Sequence, residues 1–114
     1  MSLITNVILN MGTNTALEAR AYLQRVNHFF QDREVGFVSL NNWHSFQSLH
    51  VLEVDLAVGA FNYLDLGALI KHLRTIDWRD QAAVQLLVRE QDDTGFRIID
   101  VFPERLPDGE ASPQ

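Results

Sequence analysis

Five stretches of the chain carry apolar residues in short runs or at alternate positions, a pattern typical of β-strands. In the third and longest stretch, the alternation predicts that the even-numbered residues 52–58 are buried and that the odd-numbered residues 51–57 lie on the opposite face. In the fourth, Val84, Leu86 and Val88 share one face and Leu87 lies on the other. The predicted strands are residues 6–11, 35–40, 49–60, 83–90 and 96–102.

Two further segments place apolar residues every three or four positions, which predicts amphipathic helices. The first begins after Thr15 and runs to about Phe30, and Thr15 and Glu18 have the spacing of a capping box. The second begins at Asp65, the predicted N-cap, and ends near Trp78. The chain therefore combines both kinds of secondary structure in one short sequence.

The predicted element order is β-α-β-β-α-β-β, and the fold class is α+β. Right-handed crossovers and adjacent hairpins favour a ferredoxin-like split β-α-β sandwich, in which an antiparallel sheet has two helices on one face and an extra edge strand. Mixed α+β layers of another topology stay open. Residues 1–102 are predicted to form this single domain. Residues 103–114 contain three prolines and no periodicity, which predicts a mobile C-terminal tail.

The sheet face without helices is predicted to be more apolar than a solvated face. A sheet face in water is polar at alternate positions, yet Ile8, Val51 and Leu87 all fall on this face. A second copy of the chain is the simplest cover for such a surface. The sequence therefore predicts a homodimer with these three residues in the contact. Pairing of the last strand at the sheet edge is the alternative geometry for the dimer.

Charge narrows the range of partners. The chain has 15 acidic and nine basic residues, a net charge of −6, and no cysteine. Phosphate backbones repel such a surface, so nucleic acid is not expected as a partner. A protein with a basic surface is a better candidate, because opposite charges speed encounter. No apolar run approaches the roughly 20 residues of a membrane span, and no signal peptide is recognised. We therefore expect a cytoplasmic protein that does not bind membranes.

Four histidines raise the question of a metal or catalytic site. His28 and His72 are each about 200° around their helices from apolar neighbours, so they are predicted to face solvent. His50 points away from the carboxylates of Glu53 and Asp55 if its strand is regular. A metal needs three or four convergent ligands, and no serine lies in a nucleophile motif. The sequence therefore predicts no catalytic residue, no metal and no cofactor.

Residues 41–48 stand out because they place Trp43, His44 and Phe46 in a loop with no formal charge. Tryptophan is enriched among the residues that dominate binding energy at interfaces. Two interpretations stay open: the aromatic side chains fold back over the core, or they contact a partner. Trp78, at the end of the second helix, allows the same two interpretations. Trp43, His44, Phe46 and Trp78 are therefore the candidate partner-binding residues.

In the absence of a catalytic motif, the sequence favours a non-enzymatic module for protein–protein interaction, such as an inhibitor or immunity-type partner of a basic enzyme. The alternative is a small-molecule-binding or enzymatic domain of the dimeric ferredoxin-like kind, with a pocket between sheet and helices to which His50 contributes. An enclosed pocket with convergent polar groups would favour the alternative. A flat acidic surface without concavity would favour the interaction module.

Overall fold

In a computed structural model of the chain, residues 3–13, 15–32, 34–40 and 54–103 are described. They form five β-strands, joined in one antiparallel sheet, and two α-helices. The α+β class predicted from the sequence is confirmed. The strands are β1 (Ile4–Asn10), β2 (Val38–Ser39), β3 (Leu56–Asn62), β4 (Gln85–Glu90) and β5 (Arg97–Asp100), and the helices are α1 (Ala16–Asn27) and α2 (Leu66–Arg74).

The strand order across the sheet is β2-β3-β1-β4-β5. β1 lies in the middle because it pairs with β3 on one side and with β4 on the other. The edge strand β2 pairs with β3, and β5 pairs with β4. β2 is shorter than predicted: the N–H and C=O of Phe37, just before it, bind the side-chain amide of Asn27 at 2.8 and 3.0 Å.

One face of the sheet is covered by both helices, and the other face has neither helix packed on it. We call them the covered face and the helix-free face. Alternate residues of a strand point to opposite faces, so the register assigns each strand residue to one of them. The core residues of the covered face are Val7 and Leu9 of β1, Ala57 and Phe61 of β3, Leu86 and Val88 of β4, Ala19, Tyr22 and Val26 of α1, and Leu69 and Leu73 of α2.

The faces of β3 are the reverse of the prediction. Asp55, just before the strand, and Ala57 within it are both fully buried. Leu56 and Val58 lie partly buried on the helix-free face, and Val54 is 43% exposed. The prediction that the even-numbered residues point into the core is therefore wrong for the described part of the stretch.

The reason for this reversal is side-chain volume. The ring of Phe61 folds back over Gly59, where any Cβ would collide with it. Phe61 stacks on Phe30 with ring centroids 4.8 Å apart and meets Phe37 edge-on at 5.0 Å. Small residues of β3 on the covered face leave room for these rings, whereas alternation of apolar residues carries no information on volume.

The two helices begin differently. Asp65 caps α2 as predicted, since its carboxylate accepts a hydrogen bond from the N–H of Ala68 at 3.0 Å. Thr15 is the N-cap residue of α1, but its side chain makes no capping bond. The hydroxyl of Thr13 instead donates to Glu18 at 2.7 Å and accepts from the N–H of Thr15 at 3.2 Å. Thr13 therefore binds the N–H of Thr15 and the carboxylate of Glu18, two groups that the capping box would join directly, and the predicted capping box is wrong.

Of the predicted tail, residues 103–114, only Pro103 is among the described residues. Within the described ranges, no helix combines the length and the apolar character that crossing a membrane requires.

Candidate functional site

The helix-free face carries one apolar residue from each of the five strands in a single row. Val38 pairs with Val58, Val58 with Ile8, Ile8 with Leu87, and Leu87 with Ile98. We call this row the apolar stripe. Since neighbouring strands are about 4.8 Å apart, the stripe runs roughly 19 Å across the whole sheet.

The ends of the stripe are the most accessible part. Val38 is 61% exposed and Ile98 is 65% exposed, whereas Val58, Ile8 and Leu87 are partly buried between their neighbours. Side chains of this kind on an open sheet gain from being covered, at about 25 cal/mol for each Å² removed from water. A contiguous exposed apolar surface is typical of a contact with another molecule.

The rows that border the stripe on both sides are polar on β1 and β4 and apolar on β3. Asn10 and Gln85 lie on one side, where their side-chain amides approach to 3.5 Å, and Asp100 continues the row onto β5. Asn6 and Arg89 lie on the other side, and the Asn6 amide is 3.5 Å from the Arg89 carbonyl. An apolar centre with a polar rim is the usual composition of a protein–protein interface.

Two of the three residues predicted in the dimer contact lie side by side in the stripe, since Ile8 and Leu87 are paired in the register. The third, Val51, lies outside the described residues. So do Trp43, His44 and Phe46 of the predicted partner-binding loop, and His50 of the alternative ligand site.

Trp78 is described, and it lies in the core. It is 4% exposed, its indole N–H donates to the carbonyl of Leu73 at 2.8 Å, and its ring centroid is 4.6 Å from that of Tyr22. Both the apolar and the polar parts of the side chain are therefore satisfied inside the molecule. Trp78 is therefore a core residue and is not accessible to a partner.

A polar groove that the sequence did not indicate lies at the start of α1. Its volume is about 350 Å³, and Thr13, Glu18 and Arg79 line it. The Arg79 guanidinium is 3.0 Å from the Glu18 carboxylate, and the Tyr22 hydroxyl accepts from the Arg79 N–H at 2.8 Å. These residues are up to 66 positions apart, so only the tertiary structure brings them together. Because Glu18 and Arg79 form an ion pair, this pair gives the groove no net charge with which to attract a ligand.

A second groove, of about 370 Å³, lies beside the β4–β5 turn. Glu90, Asp92 and Asp93 make one wall acidic, but the Glu90 carboxylate is in an ion pair with Arg97 at 2.7 Å. Tyr63, which also lines the groove, is 65% exposed. Asp93 is partly committed, because its carboxylate accepts from the N–H of Glu90 at 3.0 Å. The groove combines negative charge with one accessible aromatic ring.

The two described histidines behave differently. His28 is exposed, as predicted. His72 is partly buried, which corrects the prediction that it faces solvent. Its Nε2 lies 2.8 Å from the carbonyl of Arg25 and its ring centroid is 5.6 Å from that of Phe29. A carbonyl only accepts, so Nε2 donates, and His72 joins α2 to the end of α1. No three metal-binding side chains converge within the described ranges.

We found no match to the chain among protein-family models, curated proteins or solved structures.

Proposed function

We propose that the protein is a non-enzymatic interaction module that forms a homodimer through its helix-free face. The single observation that carries this proposal is the apolar stripe, in which Val38, Val58, Ile8, Leu87 and Ile98 align across all five strands. A solvated sheet face would be polar at these positions.

The grooves, including one of about 620 Å³ between the end of α1 and residues 34–38, support a ligand site less well. Small-molecule sites are usually enclosed and mostly apolar, with a few convergent polar groups. The groove at the start of α1 has Glu18 paired with both Arg79 and Thr13. The groove beside the β4–β5 turn has acidic side chains on one wall only. The stripe, by contrast, is apolar, accessible and continuous.

We also infer that the fold is the ferredoxin-like split β-α-β sandwich with an extra edge strand. The strand order supports this inference. β1 and β2, which α1 connects, are parallel to each other because both are antiparallel to β3, which lies between them. β3 and β4, which α2 connects, are likewise parallel with β1 between them. Each β-α-β unit is thus split by a strand of the other, and β5 extends the edge.

The proposal predicts that Leu87→Glu splits the dimer and leaves the chain folded. Burying a carboxylate between two sheets is costly, whereas Leu87 in a monomer lies on an open face. At about 100 μM, where a dimer with a micromolar Kd is mostly assembled, wild type should sediment at twice the 13.0 kDa of one chain. The Leu87→Glu variant should sediment as a monomer with an unchanged circular dichroism spectrum.

Leu17→Glu is the matched control, because Leu17 is 77% exposed on α1, on the opposite side of the sheet. This variant carries the same added charge and should sediment as wild type does. A monomeric wild type at about 100 μM, or equal loss of dimer in both variants, would contradict the proposal.

A partner with a basic surface is the second candidate, and the acidic groove beside Tyr63 is the observation that favours it. Asp92 and Asp93 would attract basic side chains, and the exposed Tyr63 ring can stack on a guanidinium. Such a contact does not use the stripe. Leu87→Glu should therefore keep binding a basic partner even where it loses the dimer.

A further inference from the structure

We infer that two copies of the chain meet with their two-fold axis running along the apolar stripe, so that Arg89 of each copy faces Asp100 of the other. This inference rests on the proposed function, since it requires the helix-free face to be the dimer interface. In addition to the interface, we infer how the two copies are oriented and which charge pair favours that orientation.

Two-fold symmetry limits the ways in which two copies can pack face to face. Two identical sheets that pack face to face are related by a two-fold axis lying in the plane between them. Packed sheets keep their strand directions within about 30° of each other. The axis therefore runs either along the stripe, across the strands, or along the strands, perpendicular to the stripe.

With the axis along the stripe, each stripe residue meets its own counterpart, and the two polar rows exchange places. Leu56 then lies over Ala60 of the second copy, because both belong to β3 on opposite sides of the stripe. Asn10 lies over Asn6 of the second copy in the same way. A large residue meets a small one, and an amide meets an amide.

The same orientation pairs the charges of the face. Gln85 and Arg89 lie on opposite sides of the stripe on β4, so they oppose each other between copies. Asp100 is in the row of Gln85, one strand further out on β5, and it lies over the exposed Phe96 of the second copy, because Phe96 and Asp100 are on opposite sides of the stripe. Arg89 of one copy therefore lies about one strand spacing, roughly 4.8 Å, from the position over Asp100 of the other. The long guanidinium side chain can span that distance.

With the axis along the strands, the face is mismatched. β3 of one copy would then lie over β4 of the other, because these strands are on either side of the central β1. Leu56 would meet Gln85 of the second copy, and Ala60 would meet Arg89. Each contact would bury a polar group against an apolar one without a partner, which is unfavourable.

Charge also favours a second copy over a basic partner as the occupant. Arg89 and Asp100 are the charged side chains of the described strands on this face, so the described part of the face is neutral although the chain carries −6. Within the described part of the chain, neither is in an ion pair, and Asp100 is exposed. A neutral face with one charge of each sign complements a copy of itself.

The area is close to the smallest that a specific contact uses. The stripe and the two rows beside it have 14 positions, if Leu40 next to β2 and Phe96 next to β5 are counted, and at about 6.8 by 4.8 Å each they cover roughly 450 Å² of each copy. Pairing therefore hides about 900 Å² in total, near the lower limit of about 1,000 Å² for a specific interface. Because the interface is this small, we expect attraction between Arg89 and Asp100 to contribute strongly to the choice of orientation.

A charge exchange tests the orientation. Arg89→Glu alone brings two carboxylates together at each of the two symmetric contacts, and Asp100→Lys alone brings two cations together there. Each variant should have a Kd about tenfold higher than that of wild type, because both contacts change from attraction to repulsion. Mixed together, the two variants should form a heterodimer with a Kd within about threefold of that of wild type, since both contacts become attractive again.

Sedimentation velocity measures the Kd of each variant alone. The Kd of the mixed dimer is measured in the same way, in a mixture in which one variant carries an N-terminal fluorophore. The mixed dimer has the same total charge as the wild-type dimer, so overall repulsion does not explain a recovery. Lys71→Glu and Asp77→Lys make the same charge changes at exposed positions on or just after α2, away from the face. This control pair should show no preference for the mixed dimer. At about 1 M salt the preference between Arg89→Glu and Asp100→Lys should also fade.

The outcomes separate the two proposals. A wild type that stays monomeric at about 100 μM overturns the proposed function and this inference together. A wild-type dimer that Leu87→Glu splits, but whose charge variants associate no better mixed than alone, overturns the orientation and leaves the dimer interface standing. A Leu87→Glu variant as unstable as a core variant would mean that the chain's own segments cover the stripe, which overturns both.

Discussion

The two faces of the sheet are similar in sequence and different in burial. Leu86 and Leu87 are neighbours of the same residue type on β4, yet Leu86 is fully buried beneath the helices and Leu87 is partly buried on the helix-free face. Leu9 and Ile8 on β1 show the same contrast. The residue type at a strand position therefore does not determine burial, which depends on what packs against that face.

The two faces also differ in whether the chain's own helices cover them. The covered face is closed by Tyr22, Val26, Leu69 and Leu73 from two helices. The stripe is apolar in every strand and has neither helix upon it. Under the proposed function, the covered face stabilises the monomer and the helix-free face stabilises the dimer.

The largest effect that tests this difference is expected from Leu86→Ala compared with Leu87→Ala. At about 0.1 μM protein, where a dimer with a micromolar Kd is mostly dissociated, Leu86→Ala should lower the free energy of unfolding by about 2–5 kcal/mol. Leu87→Ala should lower it by about 1 kcal/mol, since that side chain is only partly buried. Urea denaturation of the two variants and of wild type measures both.

Protein concentration sharpens the same comparison. At about 100 μM the cost of Leu87→Ala should grow, because dimerisation adds to the stability of wild type by mass action. The cost of Leu86→Ala should change much less. Equal costs at both concentrations would show that the two faces do not have separate roles.

A smaller effect is expected at the junction of α1 and β2. Asn27→Ala removes both hydrogen bonds to the backbone of Phe37 and should cost about 1–3 kcal/mol, because partly buried peptide groups lose their partners. β2 carries Val38, so the variant should also weaken the dimer. Gln24→Ala, at an exposed position of the same helix, is the control for thermal and urea unfolding. A change within about 0.5 kcal/mol in both variants would contradict this role of Asn27.

The smallest effects are expected at the helix N-termini. Asp65→Ala removes the capping bond to the N–H of Ala68 and should cost about 1 kcal/mol. Thr15→Ala removes no capping bond and should stay within about 0.5 kcal/mol. The difference in the urea midpoint between the two variants measures this. A larger loss in Thr15→Ala would mean that the capping box predicted from the sequence forms after all.

Much of the architecture follows from the sequence alone. Strands and helices are visible because alternation and three-to-four spacing are local patterns, and the Asp65 cap depends only on residues within the next turn. Leu87 on the face opposite Val84, Leu86 and Val88 was predicted correctly for the same reason, since a regular strand alternates regardless of its neighbours.

Only the tertiary structure decided which face of β3 points inward. Alternation identifies two faces, but the choice between them depended on the space that Phe61 and Phe30 take above Gly59. Those rings come from segments about 30 residues apart. The space that these rings take depends on side chains far apart in the sequence, so no local sequence pattern predicts which face of β3 is buried.

The candidate site divides in the same way. The sequence by itself predicted that Ile8 and Leu87 lie on the helix-free face, because a strand alternates. The alignment of these residues into one stripe with Val38, Val58 and Ile98 depends on strand order and register, as do the pairing of Glu18 with Arg79 and the burial of Trp78. Order and register are set by hydrogen bonds between strands that are far apart in the chain, and so only the folded structure decides them.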